Sequence, residues 1–292
     1  MKLNTKSIAQ STFTIFMIGF SSGAWAIAET VHPRDYIAAP SGVNLSVTYL
    51  DHRSADDYFV DGSKLSSNAD LQATALIQRF IHYTELLGMP ADPQIIVPVV
   101  DLDVGMAGQG SKGIGDTTIG STFWPVADAE NRQWFGITPF LILPTGDYDD
   151  QKAVNVGANR WSYVLQAGYA KGITEKLHID LIGEVEAFGD NDQFLGNNKL
   201  EKDEVYRFNT TFSYDITPGN YVWTRYVKQI GGEEQVNGVA RLGTDQDTDT
   251  LSVGYTHWIG QELQLQAEYT QDIEVENGFK TSGFTLRMAI PF

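Results

Sequence analysis

From residue 42 to the C-terminus, the chain repeats runs in which apolar and polar side chains alternate. Successive side chains of a β-strand point to opposite faces, so each run predicts a strand with one apolar and one polar face. The last run, Phe284 to Phe292, is apolar at every second position and ends on a C-terminal aromatic residue. This pattern is typical of the closing strand of a bacterial outer-membrane β-barrel, where the terminal ring lies in the interfacial aromatic girdle.

Twelve such runs follow one another, and their connections alternate between long and short. The runs lie at residues 43–49, 71–83, 95–104, 116–124, 134–143, 161–169, 177–188, 205–216, 221–230, 250–258, 263–275 and 279–292. Short periplasmic turns, long outside loops and an even strand number characterise outer-membrane barrels, whereas a soluble sandwich has no reason to keep such an alternation. The sequence therefore predicts an all-β fold, a transmembrane antiparallel β-barrel of about 12 strands over residues 42–292.

Three of the runs predict the lining of the pore. In the runs at 177–188, 205–216 and 263–275, charged and amide side chains share one face and apolar side chains share the other. A basic residue on the lipid face costs about 2–4 kcal/mol at the bilayer midplane, so we expect the polar face to line the lumen. The expected pore-lining residues are Asp180, Glu184, Glu186, Arg207, Asn209, Gln264, Gln266 and Glu268.

Two runs break the alternation, because residues 95–100 and 135–143 are largely apolar on both faces. They predict a two-sided lumen, with an apolar wall facing a polar wall. Pro98 and Pro139 lie inside these runs, and a proline cannot donate to the ladder and usually marks an edge or a bulge. Two interpretations stay open: the prolines only shape the barrel, or they weaken its wall so that an apolar solute enters or leaves sideways.

The N-terminus predicts export. Lys2 and Lys6 precede an apolar run at residues 13–20, and Ala24-Trp25-Ala26 offers an A-x-A cleavage site. A basic start, a short apolar core and a small-residue site describe a secretory signal peptide, and the run is too short to span a membrane. We expect a signal peptide at residues 1–26, a periplasmic N-terminal lead-in at 27–41, and location in the outer membrane of a Gram-negative bacterium.

Composition agrees with an exported barrel. The chain has 292 residues, no cysteine, 6 Trp, 13 Tyr and 15 Phe, and a formal net charge of −17. An exported protein without disulfides relies on a core or a closed hydrogen-bonded sheet. The negative charge argues against nucleic-acid binding, which needs a basic surface.

Several short motifs give the chain a resemblance to a known family. They are Gly115-Asp116-Thr117-Thr118-Ile119-Gly120, Pro144-Thr145-Gly146-Asp147-Tyr148, Arg34-Asp35-Tyr36 with Pro40-Ser41-Gly42, and Asn155-Val156-Gly157-Ala158-Asn159-Arg160-Trp161. In their order and spacing the chain resembles the outer-membrane proteins named for the meta-pathway of phenol degradation, often labelled as transporters. The resemblance implies an exported barrel that passes aromatic or other hydrophobic compounds, and it transfers no catalytic or binding residues.

The motif residues also have a physical interpretation. Gly-Asp and Gly-Asn pairs supply turn geometry that other residues resist. Because Asn159-Arg160-Trp161 opens a strand, Trp161 is expected in the upper aromatic girdle, with Arg160 turned toward the pore mouth. The residues expected at the pore mouth are Gly115, Asp116, Gly146, Asp147, Asn159, Arg160 and Trp161.

Signals for an enzyme are few. The five histidines are scattered without metal-ligand spacing. His257 and Ser252 share a strand but lie on opposite faces, whereas His178 with Ser213 is conceivable as a pair across neighbouring strands. We expect no enzyme, no cofactor and no metal.

The sequence therefore predicts a passive channel for uptake or export of small hydrophobic or aromatic molecules. Its expected partners are outer-membrane lipid and lipopolysaccharide, the barrel-assembly machinery through Phe292, and the solute. Two alternatives stay open, namely a structural barrel with a plugged lumen and a lipid-modifying enzyme.

Overall fold

The computed structural model describes residues 31–292, so the expected signal peptide lies outside the described residues. Twelve long strands carry the fold. They are β1 (Asn44–Ala55), β2 (Leu71–His82), β3 (Met89–Val104), β4 (Thr118–Asp128), β5 (Gln133–Ile142), β6 (Ser162–Gly172), β7 (Leu177–Phe188), β8 (Val205–Thr217), β9 (Asn220–Gly231), β10 (Gln246–Ile259), β11 (Leu263–Val275) and β12 (Ser282–Pro291).

These strands form one closed antiparallel barrel in which each strand pairs with its neighbours in sequence. The barrel closes where β12 pairs with β1, with Leu45 opposite Pro291 and Ser54 opposite Ser282. Closure satisfies the backbone hydrogen bonds of every strand, which a bilayer requires because it offers no water to an open edge. The predicted twelve-stranded barrel and its predicted closing strand are confirmed.

The two faces of the wall differ in polarity. Along β12, Phe284 and Leu286 are 63% and 56% exposed on the outside, whereas Thr285 and Arg287 between them are buried on the inside. The other long strands repeat this arrangement, with exposed Leu, Ile, Val, Phe and Tyr outside. An apolar outer face around a polar interior is the pattern expected for a wall that contacts lipid. No helix among residues 31–292 is long and apolar enough to cross a membrane.

The pairing of β3 changes partway along the strand. Residues 91–96 pair with β4, whereas residues 99–104 pair with a short strand, Gln109–Ile114. Pro98 lies at this change, and its carbonyl accepts the Gly115 N–H at 2.9 Å. Pro139 pairs with Leu165 of β6 but lies in a gap of the ladder between β4 and β5, which resumes on either side of it. The two prolines therefore differ in that β3 changes its partner strand at Pro98, whereas β5 keeps β4 as its partner past Pro139.

The long loops carry further short strands, which the sequence did not predict. Tyr58–Val60, Ser63–Ser66 and Gly278–Phe279 form a three-stranded sheet, and Asn191–Phe194, Asn198–Lys202, Glu234–Val236 and Val239–Ala240 form a four-stranded sheet. Gly105–Ala107 forms a short 3-10 helix. Thr84–Leu86 pairs with the start of β3, so residues 89–93, predicted as part of a link, belong to a strand.

The described part of the predicted lead-in lies inside the barrel. Val31, His32 and Tyr36 are 9% or less exposed, and side chains from the inner wall contact them. Residues 40–43 then lead to β1 at the end of the barrel that has the short turns. The segment turns into the lumen because its polar groups find hydrogen-bonding partners on the inner wall.

Candidate functional site: the channel lumen

Tyr36 anchors the N-terminal segment to the middle of the inner wall. Its hydroxyl lies 3.0 Å from Thr138 Oγ1 of β5 and donates to Gln166 Oε1 of β6 at 2.8 Å. Trp124 of β4 donates its indole N–H to the Tyr36 carbonyl at 2.9 Å. Burial raises the pKa of the Tyr36 hydroxyl, which therefore acts as a neutral donor.

Arg34 and Asp35 bind opposite sides of the wall. Arg34 donates to Ser213 Oγ at 3.0 Å and to Asp215 at 2.9 Å, both on β8. Asp35 accepts from Arg287 of β12 at 3.2 Å and pairs with Arg79 of β2 at 3.4 Å. Because these partners lie on strands far apart around the barrel, the segment bridges the lumen instead of lining one wall.

His32 and Val31 complete the bridge. The His32 ring lies 2.6 Å from Gln266 Nε2 and 3.4 Å from a carboxylate oxygen of Glu268 on β11. Arg225 of β9 donates to the Val31 carbonyl and also pairs with Glu268. Burial lowers the pKa of His32, while the Glu268 carboxylate opposes this shift.

The polar wall consists of paired charges. Arg207 bonds Glu184 at 2.5 Å and Glu186 at 2.9 Å, and Gln166 donates to the other oxygen of Glu184 at 2.6 Å. Buried carboxylates are tolerated when cations and hydrogen bonds compensate them, since desolvation of an isolated charge is expensive. These contacts extend from Tyr36 through Gln166 into the acidic wall.

The structure places the expected pore-lining residues on the inner face. All except Asn209 are 8% or less exposed, and Asn209 is half-buried with its side chain accepting from Thr211. Sequence reasoning missed Arg79, Arg225 and Arg287 in the same lining. Their inward positions in alternating runs were the signal that would have identified them.

The wall formed by β1 to β6 carries a buried apolar cluster, and polar side chains such as Arg79, Gln94 and Thr138 lie between its members. The cluster combines aromatic and aliphatic side chains from β1 to β6, including Ile96, Trp124, Trp134, Phe140 and Ile142. The apolar runs at 95–100 and 135–143 contribute inward side chains to this cluster, but the wall as a whole is mixed in polarity. A cavity of about 290 Å³ remains between the N-terminal segment and the wall at the short-turn end. Its lining includes Ile37, Leu45, Trp258 and Arg287.

Most of the motif residues hold the loops together at the long-loop end of the barrel. The buried carboxylate of Asp116 accepts the backbone N–H groups of Gly146 at 2.8 Å and Ala158 at 2.7 Å. Burial raises the pKa of Asp116, and these backbone donors oppose the shift. Gly146 and Gly157 approach so closely that a Cβ on either would lie within 3.0 Å of the other's backbone. These contacts give the Gly-Asp motifs a structural role.

The remaining motif residues lie beside this junction. Asp147 accepts the Ile114 N–H at 2.9 Å, and Gly115 donates to Pro98. Asn159 adopts a positive φ of 52° and donates to Asn191 at 3.1 Å. Trp161 is 46% exposed, whereas Arg160 is buried.

His178 and Ser213, considered above as a catalytic pair, each contact an arginine instead of each other. His178 and Ser213 lie directly opposite each other on β7 and β8. Ser213 accepts from Arg34, however, and His178 Nε2 lies 2.6 Å from Arg132. Among residues 31–292, no group of three or more His, Cys, Asp or Glu is arranged to hold a metal ion.

Comparison with known proteins places this barrel among outer-membrane proteins. The structure matches the COG4313 outer membrane channel from Pseudomonas putida F1 at 31% identity and a TM-score of 0.85, covering 90% of this chain and 100% of the other. The fold is also similar to the β domain of the Bordetella autotransporter BrkA at 12% identity and a TM-score of 0.52, covering 87% of this chain and 100% of the other.

A third structural match is the NanC porin, at 9% identity and a TM-score of 0.50, covering 84% of this chain and 98% of the other. No curated protein sequence matches the chain at a significant level. The family described as "Putative MetA-pathway of phenol degradation" matches residues 54–288. The chain belongs to this family, and it is an outer-membrane β-barrel channel of the Gram-negative type.

Proposed function

We propose that this channel passes small hydrophobic or aromatic molecules across the outer membrane without an energy source. The observation that carries the proposal is the buried apolar cluster on the wall of β1 to β6, where Trp124, Trp134 and Phe140 lie on the inner face. A general pore for hydrophilic solutes has a polar, water-filled interior. Buried aromatic side chains on the inner wall instead favour solutes that gain from leaving water.

The polar wall complements this preference. Its carboxylates are already paired with arginines, as in Arg207 with Glu184 and Arg225 with Glu268. Such a wall offers hydrogen bonds for a hydroxyl or amide group without strong net charge. A solute with one apolar face and one polar substituent therefore matches the apolar cluster and the polar wall.

The test is solute flux through the purified protein in liposomes. We expect phenol and toluene to enter faster than through protein-free liposomes, and a sugar of similar size to enter slowly. A Phe140→Gln variant should slow the uptake of toluene because it places an amide in the buried apolar cluster. Equal rates for the sugar and the aromatic solutes would contradict the proposal, since they would indicate a general pore.

A plugged structural barrel is the second candidate, and the N-terminal segment across the lumen favours it. Single-channel recordings separate the two candidates, because a permanently plugged barrel carries no steady current. Growth of a deletion strain on a panel of aromatic carbon sources then identifies the solute. A strain that grows normally on every member of the panel would oppose a role in uptake of those compounds.

A further inference from the structure

Arg160 is a buried cation with unsatisfied donors at the long-loop end of the lumen. It is 3% exposed and precedes β6 by two residues, so it continues the inward-facing series of Ser162 and Val164. Its Nε and Nη1 are buried, and neither has a hydrogen-bond partner among residues 31–292. Its guanidinium carbon lies 4.9 Å from the centre of the Phe188 ring. An unpaired buried guanidinium is costly, so the contact with one ring leaves this cation undercompensated.

The carboxylates that face Arg160 are engaged by other donors. Asp116 accepts two backbone N–H groups, Glu234 pairs with Arg241, and one oxygen of Glu186 pairs with Arg207. No ion pair joins Arg160 to these three carboxylates among the described residues, and the Oε1 oxygen of Glu186 is likewise buried without a hydrogen-bond partner. A buried polar group without a partner in a native protein calls for an explanation such as a bound ion or ligand.

Lys202 brings a second cation to the same ring. Its ammonium nitrogen lies 5.0 Å from the centre of Phe188, and the residue is 8% exposed. Burial lowers the pKa of Lys202 to about 8, with Glu234 opposing the shift and Arg160 adding to it. Two cations and an aromatic face thus converge where the outer loops meet the lumen.

We propose that Arg160 and Lys202 bind the carboxylate of a hydrophobic acid at the outer end of the channel, with Phe188 beside its apolar part. Guanidinium and ammonium groups form short, strong hydrogen bonds with carboxylates. The nearby acids Glu186 and Glu234 disfavour a multiply charged anion, which leaves a monovalent carboxylate as the matching group. The inference rests on the proposed channel function, and it specifies aromatic and aliphatic carboxylic acids as the solute class.

Binding of benzoate to the purified full-length protein in detergent tests the site, with the isosteric neutral benzamide as the comparison solute. We expect Arg160→Gln to weaken benzoate binding by about 10- to 100-fold, as loss of charged hydrogen bonds does, and to leave benzamide binding unchanged. Lys112→Gln is the matched control, because it also removes one positive charge, but from the short strand Gln109–Ile114, where the exposed Lys112 pairs with Asp101. Unchanged benzoate binding in a folded Arg160→Gln protein would overturn the proposal.

Two measurements on the unaltered protein keep the test valid if the variant fails to fold. Benzoate affinity should fall as the pH rises through about 8, because Lys202 then loses its charge. The charged groups that face Lys202 are Arg160, Arg207, Glu186 and Glu234. Phosphate should compete poorly with benzoate. A constant affinity through this pH range, or phosphate binding as tight as benzoate binding, would contradict the site. Failure of the channel function would appear separately, as absence of toluene and phenol flux in liposomes.

Discussion

At the scale of single residues, two glycines of the barrel wall leave room for the N-terminal segment in the lumen. The Tyr36 ring lies against Gly168 of β6 and Gly136 of β5, and a Cβ at either position would contact the ring at 3.0 Å or less. Glycine weakens a strand interior, so its presence at a wall position indicates a close approach of another group. Here that group is the aromatic anchor of the N-terminal segment.

Gly168→Ala should therefore displace Tyr36 and break its hydrogen bonds to Gln166 and Thr138. We expect a loss of about 1–3 kcal/mol in stability from overpacking, together with a higher open-channel conductance in planar bilayers. Gly183→Ala on the neighbouring β7 is the control, because a Cβ there meets only Phe208 at 4.0 Å. Equal conductance in the two variants would show that Tyr36 does not limit the pore.

At the scale of elements, the N-terminal segment and β3 are the two parts that depart from a regular barrel. The segment is held by hydrogen bonds and ion pairs, and Val31, Tyr36 and Ile37 also pack in the buried apolar cluster. The polar contacts exchange readily with water, so the wall can stay intact when the segment is absent.

Deletion of residues 31–39 should leave a folded barrel with a larger conductance. The reason is that water replaces the segment as the partner of Arg79, Arg287 and Asp180. Heat-modified migration in SDS gels reports folding, and single-channel recordings report the pore. A deletion protein that folds but conducts no better than the intact chain would show that the segment does not obstruct the path.

The change of partner along β3 makes a different prediction. Pro98 lies where β3 leaves β4 for another strand, whereas β5 stays paired with β4 on both sides of Pro139. If solutes leave sideways at this interruption, Pro98→Val should slow toluene uptake by restoring a ladder donor, and Pro139→Val should have little effect. Unchanged uptake in Pro98→Val would leave the proline with a purely structural role.

At the scale of the whole molecule, the pairing of β1 with β12 closes the barrel. Phe292 ends the chain beyond β12, is 71% exposed, and donates its N–H to the Asn44 carbonyl at 2.9 Å. We expect this exposed ring to be the group that the barrel-assembly machinery recognises. Deletion of Phe292 should reduce the amount of inserted barrel in cells more than solute flux per inserted molecule. A deletion that assembles at the normal level would remove this role.

Much of the barrel could be predicted because period-two alternation depends on each strand alone. The inward orientation of Glu184 and Gln266 follows from such local alternation. The position of the segment depends on Arg34, Asp35 and Tyr36 meeting partners up to 252 residues away, and no local pattern encodes such contacts. The small sheets in the loops were not predicted from the sequence, because strands as short as Val239–Ala240 have too few residues to show a period.

The bridge across the lumen also constrains the order of folding. Arg34 finds Asp215 across 181 positions, His32 finds Gln266 across 234, and Asp35 finds Arg287 across 252. Contacts of such long range form late, because the entropy of closing the intervening chain must first be overcome. The complete set of partners exists only once β12 has joined β1. The segment that begins the described chain is therefore among the last parts to reach its native position.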